Sequence, residues 1–236
     1  MKTHFVFLLL LLFFDTSINA QCLDNTCECI YSLALENDTL WIGTKIGLFK
    51  YNTQNGTNIL YSQSNSRLPN NFVNALKIDK DKSIWIGTYG GGLANLKNNK
   101  WTLYTMNNSK IVSNNIFGIE EYKNTLWHAT DKGVATYDSG VFGAYNENNS
   151  LLPPSIVFSF GNEEDSTMWV AVAGGLYKYN GIWQKYTREN SGLLHNEVYA
   201  VTVNNHTKYV CTPEGVSTFD GTSWQQISYK NVGICC

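Results

Sequence analysis

Short apolar runs recur along this chain at a nearly fixed interval. The segments LWIGT (40–44), IWIGT (84–88), LWHAT (126–130), MWVAV (168–172) and KYVCT (208–212) place an aromatic at Trp41, Trp85, Trp127, Trp169 and Tyr209. A Gly-hydrophobic pair follows each time and opens GLFKY (47–51), GLANL (92–96), GVATY (133–137), GLYKY (175–179) and GVSTF (215–219). A further run, such as KWTLYT (100–105) or IWQKYT (182–187), precedes Asn65, Asn108, Asn149, Asn190 and Asn231, the first four followed by Ser66, Ser109, Ser150 and Ser191. Beyond that Asn another apolar run begins, at Val73, Ile116, Val157 and Val198, with Ile30 in the matching place at the front. Each unit therefore reads as four short strands, a to d, separated by Gly, Asn, Asp and Ser clusters that suit turns.

Four strands in about 42 residues is the size of one propeller blade. A β-solenoid is the weaker alternative, because solenoid β-repeats are usually shorter. Side-chain size supports radial stacking, in which inner strands must be thin. Strand a carries Ser32, Ala75, Gly118, Ser159 and Ala200 at one shared position, and strand b carries Gly43, Gly87, Ala129, Ala171 and Cys211. Strand d, on the wide side of the wedge, offers Trp101, Phe142, Trp183 and Trp224 with Tyr61, Tyr104, Tyr145 and Tyr186 further along each unit. These aromatics read as filler between blades. The predicted fold is all-β, a five-bladed propeller over 21–236 with blades at about 29–65, 72–108, 115–149, 156–190 and 197–231. Closure within one chain is the first expectation; a fragment of a larger ring or an assembly of two chains is the alternative.

The first residues change the compartment. Lys2 and His4 precede an apolar run from Phe5 to Phe14, and Ser17 to Ala20 end in a small residue. That is the pattern of a signal peptide over 1–20. Ten apolar residues are too few to span a bilayer as a helix, and no membrane span is expected. The protein is expected to be secreted or periplasmic, with lipid anchoring through Cys22 as the minor alternative. Charge is nearly balanced, 17 Lys plus Arg against 19 Asp plus Glu, and no basic block appears. A nucleic-acid partner is therefore not expected.

At Leu40 to Leu93 the pattern LWIGTxxGLxxY, then NSxLPNNxVxxI and IWIGTxxGGL, resembles the two-component regulator propeller repeat, including Asn65-Ser66, Leu68-Pro69-Asn70-Asn71 and Gly91-Gly92-Leu93. The resemblance continues more loosely to Asn231. It implies a propeller of the kind found in the extracellular sensor regions of bacterial hybrid histidine kinases, which recognise external ligands, often glycans. No kinase or following immunoglobulin-like domain accompanies it in this sequence.

Six cysteines in an exported chain suggest disulfides. Cys22, Cys27 and Cys29 precede blade 1, and Cys235 and Cys236 follow blade 5, so closure would bring the two groups together. At least one disulfide between the groups is expected; metal binding by the cluster is the rival reading. Cys211, at a small-residue position, is expected to be a buried free thiol. His128 replaces an aliphatic residue in strand b and reads as a core or inter-blade hydrogen-bonding residue, and His206 as a solvated one. The acidic clusters Asp79-Lys80-Asp81, Glu120-Glu121 and Glu163-Glu164-Asp165 all fall in a-b hairpins and read as solvated turns, not catalytic pairs. No cofactor or metal site is expected. The sequons at Asn37, Asn55, Asn107, Asn148 and Asn205 fall in predicted loops and would carry glycans in a eukaryotic host.

In this strand order the b-c turns and d-a linkers share one face at the channel mouth. Lys45, Tyr89, Asp131, Lys132 and Glu214 come from b-c turns, and Asn70, Asn71, Asn114, Asn115, His195, Asn196 and Glu197 from d-a linkers. Amides with a few charges suit hydroxyl-rich ligands, since each amide donates and accepts. The function expected is ligand binding, with a small molecule or glycan as partner. An extracellular propeller lyase or hydrolase is one alternative, with His195 and Glu197 as the sole pair resembling an acid-base couple. A protein-protein scaffold is the other.

Overall fold

The computed structural model describes residues 29–164 and 166–228. The proposed signal peptide and Cys22, Cys27, Cys235 and Cys236 lie outside the described residues. Twenty strands form five four-stranded antiparallel sheets. Blade 1 holds β1 (Ile30–Glu36), β2 (Thr39–Thr44), β3 (Leu48–Asn52) and β4 (Asn58–Tyr61). Blade 2 holds β5 (Val73–Ile78), β6 (Ile84–Thr88), β7 (Gly92–Lys97) and β8 (Lys100–Tyr104). Blade 3 holds β9 (Ile116–Tyr122), β10 (Thr125–Thr130), β11 (Gly133–Asp138) and β12 (Val141–Tyr145). Blade 4 holds β13 (Val157–Glu163), β14 (Thr167–Val172), β15 (Gly175–Tyr179) and β16 (Trp183–Tyr186). Blade 5 holds β17 (Ala200–Asn204), β18 (Thr207–Thr212), β19 (Gly215–Phe219) and β20 (Trp224–Ser228). No helix among the described residues is long and apolar enough to cross a membrane.

The repeated polar residues hold the connections. Asn65 Oδ1 accepts the Ser62 N–H at 2.8 Å while its Nδ2 donates to the Leu60 carbonyl at 2.8 Å. Ser66 Oγ donates to the Ser62 carbonyl and accepts the Leu68 N–H. The same set recurs at Asn108-Ser109, Asn149-Ser150 and Asn190-Ser191. Each d-a linker thereby satisfies its own backbone groups and drives Leu68, Ile111, Leu152 or Leu193 into the core, where all four are buried. In the b-c turns, Thr44, Thr88, Thr130 and Thr212 donate Oγ1 hydrogen bonds to the carbonyls of Gly47, Gly92, Gly133 and Gly215. Gly133 has φ +99°, and a Cβ there would stand 2.6 Å from the Tyr145 carbonyl oxygen, so only glycine fits.

The blades are joined through the inner strands and the strand-b aromatics. β1 packs on β5, β5 on β9, β9 on β13 and β13 on β17. Trp41, Trp85, Trp127 and Trp169 are each buried at 1–4% exposure. The small positions are required by this approach: a Cβ on Gly87 would meet Ile116 Cγ2 at 2.5 Å. No comparable packing joins β17 to β1 among the described residues. Leu35 on blade 1 is 54% exposed and Tyr209 on blade 5 is 40% exposed, so among the described residues the five sheets form a series in which blade 5 does not pack on blade 1 as ring closure would require.

Several polar residues differ from their sequence reading because they meet the neighbouring blade. Glu120 and Glu121 pair with Lys77 and Lys80 of the preceding blade. Glu163 accepts the Trp169 indole N–H at 3.1 Å and pairs with His206 and with Lys208, a buried lysine. Burial pushes the Glu163 carboxyl up, but the hydrogen bonds from Trp169 and His206 and the Lys208 charge outweigh it and leave its pKa lowered. These acids are cross-blade ties; His206, whose side chain is 68% exposed, is solvated as expected while it meets Glu163. Cys211 is half-buried and disulfide-bonded, not a buried free thiol, because no described blade covers its face.

His128 is fully buried, and neither ring nitrogen has a hydrogen-bond partner of ordinary geometry. It is a core residue without the inter-blade hydrogen bond expected of it. Burial pushes its pKa from 6.5 down to about 4, and the Ala135 backbone beside it offsets little. The unfolded chain therefore binds a proton that the folded one rejects between these values, and stability present above pH 6.5 is lost as pH falls toward 4, by roughly 3 kcal/mol for a shift of this size. The matching residues of the other blades are Ile42, Ile86, Val170 and Val210. His128→Ile is expected to raise Tm, more at pH 5 than at pH 7.5, and to flatten the pH dependence; thermal denaturation across this range checks it, and an unchanged slope would count against the assignment.

Candidate functional site

The b-c turns and d-a linkers meet at one end of the blades. The innermost strands begin there, and each begins irregularly. The register of β1 against β2 shifts between Ile30 and Ser32, that of β5 against β6 between Val73 and Ala75, and that of β13 against β14 between Val157 and Ser159. Against β10, β9 shifts in the same place. The extra residues of these bulges are Tyr31, Asn74, Phe117 and Phe158. A bulge re-aims its extra side chain without breaking the strand. Three of the four bulges therefore present an aromatic at the inner end of the strand.

These rings join others from the linkers and turns. Tyr31 lies 4.6 Å from Phe72, Phe72 5.7 Å from Tyr89, and Tyr89 6.3 Å from Phe117, centroid to centroid. The Tyr89 N–H donates to the Phe72 carbonyl, which fixes the turn beneath them. Tyr89 is 50% exposed and Phe72 and Phe117 are half-buried. On blades 4 and 5, Phe158 and Tyr199 pair edge to face at 5.5 Å. The result is an aromatic rim across blades 1 to 3 and a second aromatic pair across blades 4 and 5. Of these residues only Tyr89 was singled out in the sequence. The signal was present in the repeat alignment, since Tyr31, Phe117, Phe158 and Tyr199 all directly follow the residue that opens strand a.

The polar residues divide by the work they already do. Asn71, Asn114 and Asn196 each accept, through Oδ1, the backbone N–H eight residues earlier, at Gln63, Met106 and Arg188. This recurring bond clamps the d-a linker. Asn70 Oδ1 accepts the Phe72 N–H in a local turn. Asp131 is held from both sides, accepting hydrogen bonds from Ser113 Oγ and Asn115 Nδ2. Lys45 and Lys132 are exposed at their turns. Glu214 pairs with Arg188 at 3.7 Å. His195 Nδ1 accepts the Glu197 backbone N–H at 2.9 Å, and the Glu197 backbone bridges Ala173. The Glu197 carboxylate lies beside the Tyr199 hydroxyl, whose pKa is raised first by desolvation and then by that charge. The His195–Glu197 contact is thus a turn, and their side chains are not coupled to each other.

Residues 67–90 match the two component regulator propeller family. The chain is 29% identical over 225 residues to histidine kinase P4 of Formosa agariphila, a match that covers 86% of this chain and 16% of that protein. Among solved structures it is similar to the extracellular domain of the putative hybrid two component system BT3049 from B. thetaiotaomicron, with TM-score 0.75 and 22% identity over 84% of this chain and 28% of that one. It is also similar to virginiamycin B lyase from Staphylococcus aureus, with TM-score 0.68 and 13% identity over 86% of this chain and 71% of the lyase. The chain therefore spans about a sixth of its kinase relative, and its fold is that of a β-propeller.

Amides that clamp the linkers and rings that line the rim should separate by experiment. Asn71→Ala, Asn114→Ala and Asn196→Ala are each expected to cost about 1 kcal/mol, because each leaves a backbone N–H without its acceptor. Tyr89→Ala, at a half-exposed ring, is expected to stay within roughly 0.5 kcal/mol. Denaturation midpoints of the four variants test this division.

Proposed function

We propose that this chain is an extracellular ligand-recognition propeller, secreted or periplasmic, whose b-c and d-a face binds a hydroxyl-rich ligand such as an oligosaccharide. The observation that carries the reading is the contiguous run Tyr31–Phe72–Tyr89–Phe117, in which Tyr31 and Tyr89 are exposed, at the end where the b-c turns and d-a linkers meet. An aromatic ring offers an apolar face against which the C–H groups of a sugar ring can pack, and buries area at little entropic cost. Asn70, Asn115, Lys45 and Lys132 supply donors and acceptors for hydroxyls around it. Similarity to extracellular domains of two-component systems agrees with a recognition role, and the proposal for this chain rests on its own face.

A panel of oligosaccharides, read by titration calorimetry and by analysis of the products, tests the reading. Binding without turnover is expected. Tyr89→Ala and Phe117→Ala should each weaken it by about tenfold or more, equivalent to roughly 1.4 kcal/mol, whereas Lys100→Ala on an outer strand should leave it unchanged. Product formation on the same panel would replace this reading with that of a propeller lyase or hydrolase. Binding that ignores both aromatic substitutions would remove the site from this face.

A further inference from the structure

Away from the mouth, a cavity of about 670 Å³ opens on the outer part of the blade 3 face that meets blade 4, where the a-b and c-d hairpins lie. The rings of Tyr122, Trp127, Phe142, Tyr145 and Tyr179 wall it, and Asp138 stands at its edge. Trp127, Thr136 and Gly143 lie opposite one another in one row across this sheet. The matching rows are Trp41, Lys50 and Ile59 in blade 1 and Trp169, Lys178 and Gln184 in blade 4. There the lysine holds its ammonium over the tryptophan, 5.4 Å from the Trp41 centroid and 5.7 Å from that of Trp169. In blade 3 a threonine and a glycine take the two outer places, so the row stops short and leaves open space. Lys123 is engaged over the Tyr122 ring. Asp138 accepts the Ser139 hydroxyl and has no ion-pair partner among the described residues.

The strand that carries Gly143 is also an open edge. β12 ends its sheet, with β11 as its neighbour among the described residues. The Ala144 carbonyl accepts a hydrogen bond from Asn149 Nδ2 at 2.8 Å, so it points away from β11. Residues of an antiparallel ladder alternate between bonding their neighbour and pointing outward, and Phe142 therefore faces outward as well. Its N–H and C=O and the Ala144 N–H line the free edge. Lys100 and Lys185 guard the equivalent edges of β8 and β16, whereas β12 is uncharged and has Gly143 and Ala144 at its centre. A strand added there would set one residue opposite Gly143, on the cavity face, since directly opposite residues share a face. We propose that β12 docks an extended segment of a partner protein, which joins blade 3 as an outer strand and places a basic side chain opposite Gly143. The backbone ladder supplies affinity and the cavity supplies specificity. The cation meets the Asp138 carboxylate and the surrounding ring faces, as Lys50 and Lys178 meet their own tryptophans. This edge is independent of the mouth and of any ligand bound there.

End-blocked, fluorescently labelled heptapeptides of alternating Thr and Val, with Lys, Gln, Glu or Leu at the centre, probe the edge by anisotropy against the full chain. The Lys peptide is expected to bind about tenfold or more tighter than the other three. Ala144→Pro removes an outward N–H from an edge strand, where proline is tolerated, and should abolish binding with Tm unchanged. Thr136→Lys restores the residue type found in blades 1 and 4 and should block the Lys peptide by filling the row. Asp138→Asn should bring the Lys and Gln peptides closer together, and Tyr89→Ala at the mouth should alter none of these affinities. If Ala144→Pro lowers Tm, Thr136→Lys decides. Absence of binding by every peptide, equal binding whatever the central residue, or binding of the Lys peptide that survives Thr136→Lys would overturn the docking edge.

Discussion

The structure depends on one contact repeated along the chain: a strand-b aromatic packed against the next blade. A single four-stranded sheet cannot bury both of its faces, so each blade gains its core from its neighbour. Trp41, Trp85, Trp127 and Trp169 carry that contact, and their burial requires the glycine and alanine positions beside them to stay small. The polar content of the repeat follows from the same constraint. With the sheets pressed together, linker backbone groups have no access to water on their inner side, and the Asn-Ser pairs satisfy them locally.

Where the contact has no partner the chemistry of the flank changes. Blade 5 replaces the tryptophan with Tyr209, whose polar end tolerates water, and replaces the small residue with a bonded Cys211. Blade 1 leaves Leu35 exposed on its other side. The ion pairs also run between blades. Lys77 to Glu120, Lys80 to Glu121 and Lys208 to Glu163 each link a residue to one about a full repeat away, and each acid lies near the end of an inner strand. The pairs with Lys77 and Lys80 are partly exposed and contribute modestly. The Glu163–Lys208 pair is more buried, and losing one partner there would leave a charge without compensation.

The candidate face arises from how the inner strands begin. Strands crowded toward an axis accommodate their twist with a bulge near the mouth, and the bulged residue no longer alternates with its neighbours. In blades 1, 3 and 4 that residue is aromatic, so the irregularity that starts the strand also builds the rim. Asn74 is the exception, and its side chain bridges to the Ile116 carbonyl of the next blade at 3.1 Å. The clamping asparagines beneath hold the linkers in register, so the rings stand on a rigid base.

The sequence alone determined the repeat, the number of sheets, the order of strands within each and the residues that must be small, because all of these are set within one period and reappear in the next. The Asn-Ser linkers and the Gly-hydrophobic openings were legible for the same reason. Only the tertiary structure decided what depends on a neighbour one period away. It showed that Glu163 and His206 tie blades together, that His128 is buried without a hydrogen-bond partner, and that His195 and Glu197 form a turn. It also showed that blades 1 and 5 do not pack on each other among the described residues, and that Phe117 and Tyr31 turn toward the rim. Strand alternation assigns a residue to a face only while the ladder is regular, and a one-residue bulge, invisible in a period-two pattern, reverses that assignment at the very positions that form the site.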